Sequence, residues 1–391
     1  MNELVSTNNN FSLDFSNFSK TSRSTWLDKI KHDLKLQSLE KFDKSFEDYF
    51  SITPFADEDF LQSNNIQPIV LPSIDKNYLI AEYISISTEN IPESNKGLIN
   101  ALMRGVQTPV FFLLEKFTPE QFSVLFNEVA CEYIFTHFYA VKPEFSLIEG
   151  NLKSFALSQK INNRGILKKL EGAINVTYNV FSEMSVEQHE ILLNEISESL
   201  PHFYFFCIDA TFQTSETKNV VEQIAQLSLQ LIEFFKSAEK NRLSLNTIAE
   251  KMRVRIAVGT KYYTEIAKLR AIKIVIANVM KQWGIKPLAI PIDVVVYPTL
   301  TEKNSHSDKI SATVQILAAY LGGANTVLTL NNSNENSVEF NSRILTNIQH
   351  VLQLESGIPQ INDAISGSYY IEQLTTRLVE AAWKIILRQQ I

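Results

Sequence analysis

The stretch RIAVGTKYYTEIAKLRAIKIVIANVMKQWGIKPLAIPIDVVVY, residues 255–297, holds one complete strand–helix–strand unit. It opens on a short apolar run, Arg255–Gly259, and closes on another, Ile290–Tyr297. Between them residues 261–283 follow the helical period: Ile266, Leu269, Ile272, Ile276, Val279, Met280 and Trp283 fall on one stripe. Lys268, Arg270, Lys273 and Lys281 are expected to point away from that stripe. Runs that are apolar on both faces belong to parallel strands covered by helices.

The same rhythm extends outward in both directions. Upstream lie Tyr78–Ile86, Pro109–Leu114, Glu132–Phe138, Gly172–Tyr178 and Phe203–Asp209, and downstream lies Thr326–Leu330. Helical stretches fill the gaps near 95–104, 118–127, 143–159, 185–199, 217–238, 245–252, 307–321 and 338–355, with a last one at 368–390. Strand-like runs alternating with helices in this number predict an α/β fold, a (β/α)8 TIM barrel over residues 67–391. Residues 1–66 read as an N-terminal arm, with a helix from about Ser24 carrying Trp26, Ile30 and Leu34. That arm carries too little apolar pattern to be expected to fold alone.

Composition narrows the class. The chain has 391 residues, 45% hydrophobic and 20% charged, with a net charge of −7. No basic stripe accompanies that charge, so nucleic acid is not an expected partner. Cys131 and Cys207 are too far apart for a zinc spacing or a disulfide framework. No run is long and apolar enough for membrane insertion, and the first twenty residues lack an export signal. A cytoplasmic protein is expected.

Local motifs offer no self-evident chemistry. Neither G-x-G-x-x-G nor G-x-x-x-x-G-K-[ST] occurs, nor H-E-x-x-H or G-x-S-x-G. No catalytic residue and no metal ligand is assigned. His137, near a strand end, reads as a structural imidazole. Two loops carry hydroxyls and amides where a barrel keeps its pocket. Asp209-Ala210-Thr211-Phe212-Gln213-Thr214-Ser215 follows a strand, and Tyr297-Pro298-Thr299-Leu300-Thr301-Glu302-Lys303-Asn304 follows another. Thr211, Gln213, Thr299 and Thr301 are the candidate substrate-binding residues, with helix capping as the plain alternative.

Four C-terminal stretches resemble a known family. Gly259-Thr260-Lys261-Tyr262-Tyr263-Thr264-Glu265-Ile266-Ala267-Lys268-Leu269-Arg270-Ala271 is the first. Ala319-Tyr320-Leu321-Gly322-Gly323-Ala324 and Arg343-Ile344-Leu345-Thr346-Asn347-Ile348-Gln349-His350-Val351-Leu352 follow in order, then Asp363-Ala364-Ile365-Ser366-Gly367-Ser368-Tyr369-Tyr370-Ile371-Glu372-Gln373-Leu374-Thr375. Together they resemble the methylmalonyl-CoA mutase family. The resemblance implies an adenosylcobalamin-dependent isomerisation of methylmalonyl-CoA and succinyl-CoA in a barrel threaded by the coenzyme A chain. Such a cofactor asks the protein for binding, orientation and exclusion of solvent rather than for a nucleophile.

The sequence departs from the family pattern where active members do chemistry. Asp209–Ser215 stands where they carry a Tyr-His pair, and no counterpart of their carboxylate-binding arginine segment lies between Lys168 and Leu200. On this reading the family's cobalamin-binding domain is expected to be absent from this chain. The resemblance therefore points to the small, non-catalytic subunit of a heterodimeric mutase. Adenosylcobalamin would be bound by the large catalytic partner, and no cofactor by this chain. The alternative is a catalytic acyl-CoA mutase barrel completed by a separate cobalamin-binding chain. On the first reading the barrel axis is expected to be plugged by apolar and aromatic side chains such as those of Phe203–Phe206.

Overall fold

The computed structural model describes residue 17 and residues 21–390, except 47, 70, 72–77, 141–143, 163–165, 212–218, 299–304 and 331–337. The chain forms two compact units, Met1–Gln67 and Pro68–Ile391. In the first, the helix Arg23–Leu34 starts where the Ser22 hydroxyl accepts the Thr25 amide. Strands β1 (Lys44–Phe46) and β2 (Phe50–Ile52) then pair antiparallel. Asp57 caps the short helix Glu58–Ser63 and receives Arg23 Nη1 at 2.6 Å. Phe46, Ile52, Leu61 and Ile66 are buried, so this unit is more regular than the expected arm.

The second unit contains β3 (Leu79–Ile84), β4 (Thr108–Leu113), β5 (Phe135–Ala140), β6 (Glu171–Val176) and β7 (His202–Asp209). It continues with β8 (Met252–Val258), β9 (Ile292–Val296) and β10 (Thr326–Thr329). They close into a barrel in the order β10-β3-β4-β5-β6-β7-β8-β9, every pair parallel. The (β/α)8 barrel expected from the sequence is therefore the fold. Helices occupy the intervals, as the right-handed β-α-β crossover requires.

Side chains alternate between barrel axis and helix layer. Ala81, Val110, Ala257, Val295 and Leu328 form one apolar cluster. They come from five strands consecutive around the barrel, and small side chains so distributed can meet only at its axis. Outside, Phe111, Phe122, Phe126, Phe138 and Phe155 stack edge to face. Phe203 joins that outer cluster through Phe155, and Phe206 packs on Phe181 and Phe234 of the helix layer. The expected apolar plug is thus not formed by these two residues. Alternation sends Phe203 outward and Tyr204 inward, and a register shift of β7 between Tyr204 and Phe206 turns Phe206 outward as well.

The helix Tyr262–Gln282 buries Ile266, Leu269, Ile272, Ile276, Val279 and Met280 as expected. It also buries Lys268 and Arg270, which the sequence placed away from the packed stripe. Helices Val220–Lys240 and Tyr369–Gln390 flank it, so a second face is covered. Each cation keeps polar partners there. Lys268 Nζ donates to Ala257 O at 2.9 Å and pairs with Glu265, while Arg270 Nη2 donates to Glu372 Oε1 at 3.0 Å and Nη1 to Asp363.

Candidate functional site

The polar residues of the barrel axis form three levels. At the N-terminal mouth Arg253 of β8 and Asp293 of β9 make a buried two-pronged pair, with Arg253 Nε to Asp293 Oδ2 at 2.8 Å and Nη2 to Oδ1. Arg253 Nη2 also donates to Thr326 Oγ1 at 3.0 Å. Its guanidinium lies between the rings of Phe135 and Tyr204, 4.9 and 5.0 Å from their centroids. Burial opposes both charges, but their mutual attraction prevails: Asp293 is held below the usual carboxylate range and Arg253 is raised. Below this pair opens a cavity of about 380 Å³ lined by Leu79, Phe135, Glu171, Tyr204, Lys251 and Arg253 among others.

His137 and Asn175 occupy the middle level. His137 Nε2 lies 3.1 Å from Asn175 Oδ1, and the imidazole is only 2% exposed. Burial pushes its pKa down to about 4, with the nearby arginines adding to the effect against the pull of Asp293. It is neutral at physiological pH. Cys207 stands in the same field, and burial raises its thiol well above the ordinary range.

The C-terminal mouth is built on Asp209, the last residue of β7. Tyr139 of β5 donates to Asp209 Oδ2 at 2.6 Å, while the amide and hydroxyl of Thr211 both donate to Oδ1, at 2.9 and 2.6 Å. Burial, then the Asp209 carboxylate, pushes the Tyr139 phenol upward. Tyr297 follows β9 and has its phenol raised by burial. Arg255 places its guanidinium 4.7 Å from the centroid of the Tyr139 ring.

Of the residues expected from the sequence, Thr211 belongs to this cluster, where its hydroxyl serves Asp209. Gln213, Thr299 and Thr301, like Phe212, lie outside the described residues. The sequence reading missed Tyr139, Arg255, Tyr297, Arg253 and Asp293. The signal for two of them, Arg253 and Arg255, is alternation, because in Met252-Arg253-Val254-Arg255-Ile256-Ala257-Val258 every second residue faces the axis. That run was entered only at Arg255, since two arginines do not look like a buried strand.

A cobalt-ligating imidazole finds no fit among the described residues of this mouth. His137 and His189 are buried, and each is bonded internally. His350 Nε2 donates to Arg104 O, and His202 begins β7 at the opposite end of the barrel. No group of three or more His, Cys, Asp or Glu able to hold a metal occurs among the described residues. Nor is any described helix long and apolar enough to cross a membrane.

Comparison with known proteins places this barrel. The sequence profile of the methylmalonyl-CoA mutase family matches residues 154–390. Methylmalonyl-CoA mutase of Cereibacter sphaeroides is 27% identical over 281 residues, covering 68% of this chain and 39% of that protein. The methylmalonyl-CoA mutase small subunit of Porphyromonas gingivalis is 23% identical over 398 residues, covering 95% of this chain and 63% of that protein. Methylmalonyl-CoA mutase of Escherichia coli is 30% identical over 198 residues, covering 49% and 28%. The chain thus spans between 28% and 63% of the length of these relatives. A profile match over more than half of the sequence, on a closed (β/α)8 barrel, means that the chain belongs to the methylmalonyl-CoA mutase family.

Proposed function

We propose that this chain is the small, non-catalytic subunit of a heterodimeric adenosylcobalamin-dependent methylmalonyl-CoA mutase in the cytoplasm. The large subunit would carry both the cofactor and the turnover. The observation behind this reading is the end of β7. Active relatives are expected to present an imidazole after that strand. Here the segment Asp209–Ser215 contains no histidine, and the Asp209 carboxylate is already taken by Tyr139 and Thr211. The one imidazole at the axis among the described residues, His137, is buried and neutral, so it has no proton to give at neutral pH.

The relatives point the same way. The match to the Porphyromonas small subunit extends over 95% of this chain, and that to the large subunit of the same organism over 56%. In this reading the barrel contributes a surface and a stable partner, not a reaction centre. Co-expression with the large mutase chain of the same organism, followed by size-exclusion chromatography with mass determination, tests the association. A heterodimer is expected. Elution of this chain alone, at its own 44.5 kDa, would contradict the proposal.

A further inference from the structure

His189 stands on the second of two short helices between β6 and β7, Tyr178–Glu183 and Val186–Glu190. It is fully buried, and both of its ring nitrogens face backbone carbonyls. Nδ1 lies 2.9 Å from Ser185 O, and Nε2 lies 3.2 Å from Phe181 O. An imidazolium donates at both nitrogens, whereas a neutral imidazole has one N–H and one lone pair. In the neutral ring, whichever tautomer forms, a lone pair therefore points at a carbonyl oxygen within hydrogen-bond distance. Only the doubly protonated ring satisfies both contacts.

The two carbonyls are not equivalent. Ser185 O belongs to the same helix as His189 and already accepts the His189 amide at 3.0 Å. Phe181 O lies in the last turn of the preceding helix, where carbonyls run short of intrahelical partners, and receives the Met184 amide at 3.4 Å. A cation is favoured at such a helix end. The Phe181 ring meets the imidazole edge on at 4.6 Å and stacks on Phe234 at 4.1 Å, so this contact reaches into the helix layer.

Burial lowers the His189 pKa from its ordinary 6.5, and the two carbonyls oppose it without prevailing. Among the described residues no charged group acts on the ring. Glu183, Glu187 and Glu190 of the two helices are exposed. On the neighbouring helices Lys153 pairs with Glu149 and Glu195, and Glu233 with Lys236. The ring is thus neutral at neutral pH and gains its second proton in acidic solution.

We propose that His189 is a proton-operated latch between these two helices. Doubly protonated, it bridges Phe181 O and Ser185 O; with a single proton it keeps the shorter contact within its own helix, releases Phe181 O and loosens the turn at Met184.

Nuclear magnetic resonance of the full chain with nitrogen-labelled histidine, from neutral to mildly acidic pH, tests the latch. The His189 ring is identified by its contact with the Phe181 ring. One of its nitrogens is expected to carry a proton at neutral pH and both below its midpoint. At that same midpoint the amide-exchange protection of Met184 and its neighbours should rise about tenfold or more, as gain of a charge-assisted hydrogen bond implies. His189→Gln, which cannot titrate, should lose this step. Should that variant misfold, the wild-type protein still decides, since ring protonation and protection must change at one midpoint. The assignment is overturned if both nitrogens are already protonated at neutral pH, if protection shows no step where the ring titrates, or if folded His189→Gln keeps the step.

Discussion

Burial gives His137 a measurable role in stability. Its pKa is about 4 in the folded chain against an ordinary 6.5, so between those values the unfolded chain binds a proton that the folded chain refuses. Stability is therefore complete above pH ~6.5 and falls as pH drops toward ~4, by about 2 kcal/mol at pH ~5. His137→Gln should flatten that dependence. Urea denaturation at neutral and mildly acidic pH measures it, and an equal loss in variant and wild type would count against the buried neutral imidazole. The Arg253–Asp293 pair makes a second prediction. Arg253→Met strands a buried carboxylate and should cost about 3–5 kcal/mol, while adding Asp293→Leu should recover most of it. A double variant no more stable than the single one would show that the pair is not the coupled unit described. None of these axial groups is legible as a site, because each stands on a different strand and they meet only when the barrel closes.

At the level of elements, local pattern was a better guide to existence than to edges. The run expected at Glu132–Phe138 is a strand at Phe135–Ala140, because Cys131–Tyr133 forms a 3-10 turn. The helical stretches 185–199 and 338–355 are both present, and each contains a π-helical segment, Ile191–Ile196 and Val351–Glu355. Apolar period alone does not distinguish a wider turn from an α turn. The helix Tyr262–Gln282 packs closely against the end of the helix Ser305–Leu321. A methyl group on Gly322 would sit 2.6 Å from Leu269 Cδ1 and 2.8 Å from its Cβ. Gly322→Ala should destabilise by about 1–3 kcal/mol, although alanine suits helix ends better in isolation. Leu269→Ala should cost less in the Gly322→Ala background than alone. Thermal denaturation of the four proteins gives this coupling, and strict additivity would refute the close approach.

For the whole molecule, the closed barrel was readable because its strands are covered on both faces and so write long apolar runs. The function was not readable from residues alone; it entered through resemblance, in segments whose polar members turn out to hold helices together. Arg270, for example, ties the helix Tyr262–Gln282 to Glu372 and Asp363. In the N-terminal unit the helix Arg23–Leu34 buries none of its residues and leaves Trp26 and Leu34 exposed, a surface suited to a partner chain. Deleting residues 1–66 should weaken heterodimer formation in sedimentation velocity while the barrel retains its circular dichroism. Unchanged association would remove the N-terminal unit from the interface.

The central claim is that this barrel supports turnover without performing it. Purified chain should be incubated with adenosylcobalamin and methylmalonyl-CoA, alone and after reconstitution with the large mutase subunit, and succinyl-CoA followed by chromatography. The account predicts no product from the lone chain and product from the reconstituted complex. Succinyl-CoA formed by the lone chain would contradict it.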